Sequence, residues 1–454
     1  MSDELTKKSA RELVALIRSR VASPVEIMEA HLRRIEQVNP SINAIVTTAD
    51  DAINRAREAE DAVIHGHGLG PLHGLPITVK DTIDTAGLRT TSGSRLRMNY
   101  LPNKDAAVVA RLKRAGAIIL GKTNTPEMAI PYETDNPIFG RTNNPQDLAR
   151  TAGGSSGGEA AAIAAHLSPA GVGSDLSGSI RVPAHFCGIA GLKPTTGTVS
   201  MEGHVPEAGG TISLGACIGP MARTVDDLSL LFDVMKTSPE STKASQRQAG
   251  ALYIDDTVTP VTSETEAAVR KAAQALQEAG FEVREERPPG IAVASRLWIE
   301  LFANTAAEQL REFYRGREDQ AGPLVAEILH NSRERSSFED KIETAERLAK
   351  AVVERERLRE ELLRWMKRTP LILAPVGATP AFEHGAGRVD VKGESISVFR
   401  AFSYSQTFNV FGLPAVAVPV CRSADNLPIG VQIIGRPFAE VEVLRAAKIV
   451  ERLA

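Results

Sequence analysis

The stretch at residues 151–194 constrains this chain more than any other. It reads Thr-Ala-Gly-Gly-Ser-Ser-Gly-Gly, then an alanine-rich run, then Gly173-Ser-Asp-Leu-Ser-Gly-Ser-Ile-Arg-Val-Pro, and closes with Gly191-Leu-Lys-Pro194. Glycine lets backbone come close to a ligand and adopt conformations that other residues avoid. Ser155, Ser156, Ser174, Ser177 and Ser179 stand beside or among these glycines. A serine hydroxyl becomes a nucleophile once something takes its proton. Residues 159–167, Glu-Ala-Ala-Ala-Ile-Ala-Ala-His-Leu, have high helix propensity. That predicts a positive helix N-terminus beside Ser155 and Ser156.

Composition narrows the class. With 454 residues, length alone suggests two or three domains, but a large α/β enzyme can form one. The formal charge of −3 gives no reason to expect nucleic acid or an anionic membrane as partner. Cys187, Cys217 and Cys421 lack metal-ligand spacing, and their odd number and wide separation favour a reducing compartment. The chain starts polar, and no run approaches the ~20 apolar residues of a membrane span. A cytoplasmic protein is the expectation.

Several elements are predicted along the chain. Ser9…Glu12, Ser23…Glu26 and Ser263…Glu266 read as capping boxes that open helices. The second helix should stop before Asn39-Pro40. A strand is expected at 42–48 and a helix at 49–64. His65-Gly-His-Gly reads as a loop rather than a metal pair, because no third ligand is evident. In the strand Leu75-Pro-Ile-Thr-Val-Lys80, alternation puts Ile77 and Val79 on one face and Thr78 and Lys80 on the other. Asp81 then points away from Lys80. Residues 105–115 read as a helix stopped by Gly116, and 117–120 as a buried strand. Gly116-Ala-Ile-Ile-Leu-Gly-Lys122-Thr123 fits a phosphate-binding loop by letter, but its helix–glycine–strand order and apolar centre argue against one. A helix is expected to open from 219–227 and run to about Met235, with a polar loop at 236–250. Residues 294–368 read as mainly helical, with Ile342, Ala345, Leu348, Val352, Leu358, Leu362 and Trp365 near one face of a long helix. Strands follow at 371–375 and 428–437, and a terminal helix from Glu440.

Taken in order and at their spacing, Gly153-Gly-Ser-Ser-Gly-Gly158, Gly178-Ser-Ile-Arg181, Pro183-Ala184, Phe186-Cys-Gly188 and Gly191-Leu-Lys-Pro194 closely resemble the amidase signature family of serine hydrolases. Family-like features continue from the first helices to Pro437. The resemblance implies an α/β amidase-signature fold: a central twisted mixed β-sheet covered by helices on both faces, with a helical elaboration at 294–368. One domain over 1–454 is expected, with N-terminal helices at 1–64, a catalytic core at 65–240, a variable substrate-shaping region at 241–400 and a return to the core at 401–454. It implies Ser179 as nucleophile, Ser155 as bridging hydroxyl and Lys80 as base, with a cis peptide between Gly154 and Ser155. The backbone N–H groups of Leu176, Ser177, Gly178 and Ser179 would form the oxyanion hole. No metal or cofactor is implied, a dimer is common in the family, and the substrate would be a small-molecule amide, ester or carbamate. Lys80 would have to be neutral, so its pKa must fall from about 10.4 to ~7–8 in a water-poor pocket. Arg181 and Asp175 read as a structural ion pair.

One departure stands out: Ser177-Gly178-Ser179 replaces the family's usual Gly-Gly-Ser, which would strain Ser177 if that position needed φ > 0. Three other readings compete. Gly153-Gly-Ser155-Ser-Gly157 fits the α/β-hydrolase elbow, with Ser155 as nucleophile and His330 or His384 as base. The family also contains the amidase component of the complex that amidates misacylated tRNA. That branch typically continues Tyr-Gly-Arg-Val-Ser after Lys-Pro, where this chain has Thr195-Thr-Gly-Thr-Val-Ser200. The third is a non-catalytic scaffold of the same fold.

Overall fold

A continuous apolar run lets a strand be buried on both faces, and Leu371–Pro375 is such a run. A computed structural model describes residues 2–130, 132–237, 248–256, 258–333 and 338–453. Its centre is an 11-stranded mixed sheet. In chain order the strands are β1 (Ile45–Thr48), β2 (Pro76–Lys80), β3 (Ile118–Thr123), β4 (Ala170–Asp175), β5 (Ala190–Lys193), β6 (Cys217–Ala222), β7 (Ala249–Leu252), β8 (Glu282–Glu285), β9 (Leu371–Pro375), β10 (Ala415–Arg422) and β11 (Pro428–Ile434). They lie in the order β1-β3-β2-β4-β6-β5-β10-β11-β9-β7-β8. β2 pairs parallel with both β3 and β4, while β4 pairs antiparallel with β6. Alternation along the strands feeds two cores. Ile119 packs on one side with Ile77 and Val79, while Ile118 and Leu120 pack on the other with Ala160–Ile163. Helices cover both.

The first two capping boxes form as expected, at Ser9 with Glu12 and at Ser23 with Glu26. The third does not. Thr262, one residue earlier, accepts from Thr265 N–H at 3.2 Å, and Glu266 instead bonds Arg270 and Lys392. The helix expected to stop before Asn39 runs over Pro24–Ile42, through Pro40. Its last turn is held from outside: Asn39 Oδ1 accepts the N–H groups of both Ala44 and Ile45 at 2.9 Å. Those bonds and the burial of Ile42 offset the one backbone bond that proline removes.

The 219–227 reading also needs correction. Residues up to Ala222 belong to β6, and the helix Val225–Met235 starts only after Thr224, which caps Asp227 N–H. The strand expected at 117–120 extends to Thr123, so Gly121-Lys122-Thr123 is sheet rather than loop. Lys122 is buried and donates to the Ile83 carbonyl and, at 2.9 Å, to Thr90. The polar loop expected at 236–250 falls largely outside the described residues.

Residues 294–368 are mainly helical, with a π-helical turn at Ile299–Ala303 and a long helix Phe338–Trp365. Leu358, Leu362 and Trp365 face the core, but Ala345 is exposed; Ala351 and Arg355 are buried on the inner face instead. The Ile342 side chain lies outside the description. Among the described residues, no helix is long and apolar enough to cross a membrane.

Candidate active site

β2 ends at Lys80 and β4 ends at Asp175, and the two strands are hydrogen-bonded neighbours. The edge where they finish therefore collects chemistry from distant sequence. Ser155 and Ser156 lead into the helix Gly157–Ala164, which packs on the sheet against Ile118 and Leu120. Glycine is required in its first turn: a Cβ on Gly158 would stand 2.4 Å from the Asn124 backbone nitrogen. The Gly154–Ser155 peptide is cis. Ser179 precedes the helix Arg181–Cys187.

Lys80 is fully buried. Its Nζ lies 2.6 Å from Ser155 Oγ and 3.0 Å from Ser174 Oγ. Burial pushes its pKa down to about 7, against the pull of the Asp175 and Glu159 charges. Asp81 turns away, accepting from Thr91 N–H at 3.0 Å. Glu159 takes hydrogen bonds from Thr78 and Thr123, and burial raises its pKa to about 7.

The loop between Asp175 and Ser179 is fixed peptide by peptide. The C=O and N–H of one trans peptide point in opposite directions. The Leu176 carbonyl accepts from Trp298 Nε1 at 2.8 Å, which turns the Ser177 N–H the other way. The Ser177 carbonyl accepts from Tyr132 Oη at 3.1 Å, and Gly178 N–H donates to Asp175 Oδ1 at 2.8 Å. The Gly178 carbonyl accepts from Val182 N–H at 2.6 Å, which directs the Ser179 N–H away. Of the four amides expected at an oxyanion hole, Gly178 is thus already engaged. Those of Leu176, Ser177 and Ser179 make no hydrogen bond within the described chain. The left-handed position in this loop is Gly178, with φ +106°, and Ser177 has ordinary backbone, so the departure there carries no strain.

Asp175 and Arg181 form the expected buried pair. Arg181 Nε donates to Oδ2 at 3.0 Å and Nη2 to Oδ1 at 2.9 Å, and Gln432 and Asn409 take further guanidinium bonds. Burial alone would raise the Asp175 pKa, but the guanidinium outweighs it and holds the carboxyl below its usual range.

Sequence reasoning missed four contributors. Ser174 touches Lys80; His204 Nε2 lies 2.9 Å from Ser174 Oγ, and its Nδ1 lies 2.8 Å from the Pro206 carbonyl. Burial lowers the His204 pKa to about 4, so the ring is neutral. Tyr132 and Trp298 hold the loop. The alternation of β4 would have put Ser174 on the face of Val172, but no pattern marked the other three.

Ser155, Leu176, Ser177 and Ser179 open onto one cavity of about 390 Å³. His204 also lines it. Its walls are otherwise mostly apolar, including Met128, Tyr132, Met201, Trp298, Phe302 and Phe399. No lysine or arginine is among the described lining residues. His330 is exposed, and His384 reaches the Leu148 carbonyl at 3.3 Å; neither lines the cavity, so the α/β-hydrolase arrangement does not form. Among the described residues there is no cluster of His, Cys, Asp and Glu suited to a metal ion.

At one edge of a mixed α/β sheet, then, a buried lysine meets two serine hydroxyls. The amidase family profile matches residues 26–444, and the chain belongs to that family. A glutamyl-tRNA(Gln) amidotransferase subunit from Carboxydothermus hydrogenoformans is 34% identical over 99% of this chain and 98% of its own length. Among solved structures, 6-aminohexanoate cyclic dimer hydrolase superposes with a TM-score of 0.85 at 29% identity, covering 99% of this chain and 97% of that one. The corresponding glutamyl-tRNA(Gln) amidotransferase subunit from Thermotoga maritima superposes at 0.80 with 27% identity, covering 99% and 95%. The chain is an amidase-signature hydrolase with the family's mixed α/β fold.

Proposed function

We propose that this chain hydrolyses the C–N acyl bond of a small apolar amide, with esters or carbamates as side substrates, through an acyl-enzyme on Ser179. The contact that carries this reading is Lys80 Nζ to Ser155 Oγ, 2.6 Å, in a buried site. A neutral Lys80 accepts the Ser155 proton while Ser155 accepts that of Ser179, which attacks the substrate carbonyl. The developing oxyanion is met by the N–H groups of Leu176, Ser177 and Ser179. The relayed proton returns through Ser155 to the leaving amine, and the C–N bond breaks. Water then attacks the acyl-enzyme over the same route, releasing the acid and restoring Ser179.

The walls speak for the substrate. An apolar acyl or aryl group gains from leaving water, by about 25 cal/mol per Å² buried. The α-carboxylate of free glutamine would enter a cavity with no lysine or arginine on its described lining, and an unpaired buried charge is costly. A hydrolysis panel of anilide, primary amide, ester and carbamate with matched apolar acyl groups, run beside glutamine, tests this. Turnover of the apolar substrates that vanishes in Ser179→Ala is expected. Turnover that survives Ser179→Ala removes the mechanism.

The sequence relatives favour a second reading more than they favour a free amidase: one component of a tRNA-amidating complex, releasing ammonia from glutamine. Glutamine hydrolysis that appears only once the partner proteins are added would establish it, and the chain alone would then leave the apolar panel untouched.

A further inference from the structure

The hydrogen bonds around Lys80 have a direction, and His204 sets it. A carbonyl oxygen only accepts, so the 2.8 Å contact of His204 Nδ1 with the Pro206 carbonyl puts the ring proton on Nδ1. Nε2 then carries a lone pair, and the Ser174 hydroxyl 2.9 Å away donates to it. The Ser174 oxygen is left to accept, and its partner is Lys80 Nζ at 3.0 Å. An amine N–H therefore points at Ser174. The lone pair of neutral Lys80 is kept for Ser155, at 2.6 Å. Once Lys80 is protonated it has three N–H donors, and the same acceptor still fits.

The ring is firmly seated. Val205 N–H donates to the Thr82 carbonyl at 2.8 Å, and Asp84 N–H to the Gly203 carbonyl at 2.9 Å. Ile83 and His204 form an antiparallel bridge. The loop bearing His204 is thus bonded to the backbone that directly follows Lys80.

We infer that His204 is a positioning residue, turning the Ser174 hydroxyl so that the Lys80 lone pair faces Ser155; this rests on the proposed role of Lys80 as base. Without the imidazole acceptor, Ser174 is free to rotate and donate to that lone pair. It then competes with Ser155 for the base.

The test is the second-order rate at which an alkyl fluorophosphonate modifies Ser179. In that step the Ser179 Oγ–P bond forms, the P–F bond breaks, fluoride leaves, and the serine proton enters the relay. His204→Leu is expected to slow labelling about tenfold, as one directing hydrogen bond is lost. His204→Gln, whose amide oxygen can accept from Ser174, should recover most of the rate. In a Ser174→Ala background, His204→Leu should cost nothing more. Should His204→Leu not fold, His204→Asn, whose amide is too short to reach Ser174, takes its place. Wild-type labelling in His204→Leu, a His204→Gln as slow as it, or losses that multiply in the double variant would overturn the inference. If the wild type takes no label on Ser179, the hydrolase reading fails instead; if it labels and the variants match it, only the role of His204 fails.

Discussion

Lys80 Nζ meets Ser155 Oγ at 2.6 Å, with both side chains shut away from solvent. In the proposed relay this pair works only when the amine has lost its charge. With burial pushing the Lys80 pKa down to about 7, kcat/KM should rise with pH through a single ionisation near that value and then level off. A pH profile on the best substrate of the hydrolysis panel checks this. A rate flat from pH 5 to 9 would exclude Lys80 as the base.

The same burial has a consequence for stability. Between about pH 7 and the unfolded lysine pKa of about 10.4, the unfolded chain holds a proton that folded Lys80 does not. This contribution therefore makes the fold more stable as pH rises through that window, and it weighs against the fold below it. Lys80→Met removes the term. The variant should be inactive, and its stability relative to wild type should fall by about 3 kcal/mol between pH 7 and pH 10. Urea titrations at the two pH values measure the difference, and an equal gap at both would show that Lys80 stays charged throughout.

The sequence made this centre legible because its parts recur as local words. Gly-Gly-Ser-Ser-Gly-Gly needs small residues where Gly158 lies against the Asn124 backbone, and Lys80 sits at a strand end that alternation identifies. Strands with continuous apolar runs, such as Leu371–Pro375, were equally plain. What stayed hidden was long-range. Trp298 reaches the Leu176 carbonyl from a helix far along the chain, and His204 finds Ser174 from a glycine-containing loop. Neither contact has a period or spacing. Pro40 defies the local rule for a related reason, since the bonds that Asn39 Oδ1 accepts from Ala44 and Ile45 N–H hold a turn that the rule would end.

Trp298 gives a way to loosen the loop between Asp175 and Ser179 without emptying the cavity. Its indole N–H holds the Leu176 carbonyl, while its ring packs edge-on against Phe302 with centroids 6.1 Å apart. Trp298→Phe keeps much of the packing and removes the donor. A net hydrogen bond is worth about 1 kcal/mol, so kcat should fall roughly five- to tenfold with little change in melting temperature. Steady-state kinetics beside a thermal melt separates the two effects. A fall in melting temperature with kcat intact would assign the indole N–H to stability alone.

Gly178 should tolerate no side chain. At φ +106°, a Cβ would lie 2.7 Å from Ser405 Cβ and 2.9 Å from Val182 Cγ2. Gly178→Ala is expected to lower stability by about 1–3 kcal/mol and to abolish Ser179 labelling, because the peptide on either side carries the N–H groups of the loop. Adding Ser405→Gly relieves one collision but not the backbone conformation, so labelling should stay absent. Full recovery in the double variant would mean that crowding, and not φ, reserves this position for glycine.

Asp175 joins the stability of the core to the shape of the loop. One carboxylate takes two bonds from Arg181, one from Gly178 N–H, one from Ile180 N–H at 3.1 Å and one from Asn409 Nδ2 at 3.0 Å. Asp175→Asn leaves the buried guanidinium without its counter-charge, a loss of about 3–5 kcal/mol. The sign with pH follows from the depressed folded pKa. The stabilisation is fully present above the unfolded carboxyl value of about 3.9 and is lost as pH falls through the folded one. Wild type should therefore lose its advantage over Asp175→Asn only in strongly acidic solution. Denaturant titrations from pH 7 to pH 3 measure that gap. The asparagine variant should also label slowly at pH 7, since an amide cannot accept all five bonds with its NH₂ in place of one oxygen. A variant as stable and as quickly labelled as wild type at neutral pH would show that the loop holds its shape without the ion pair.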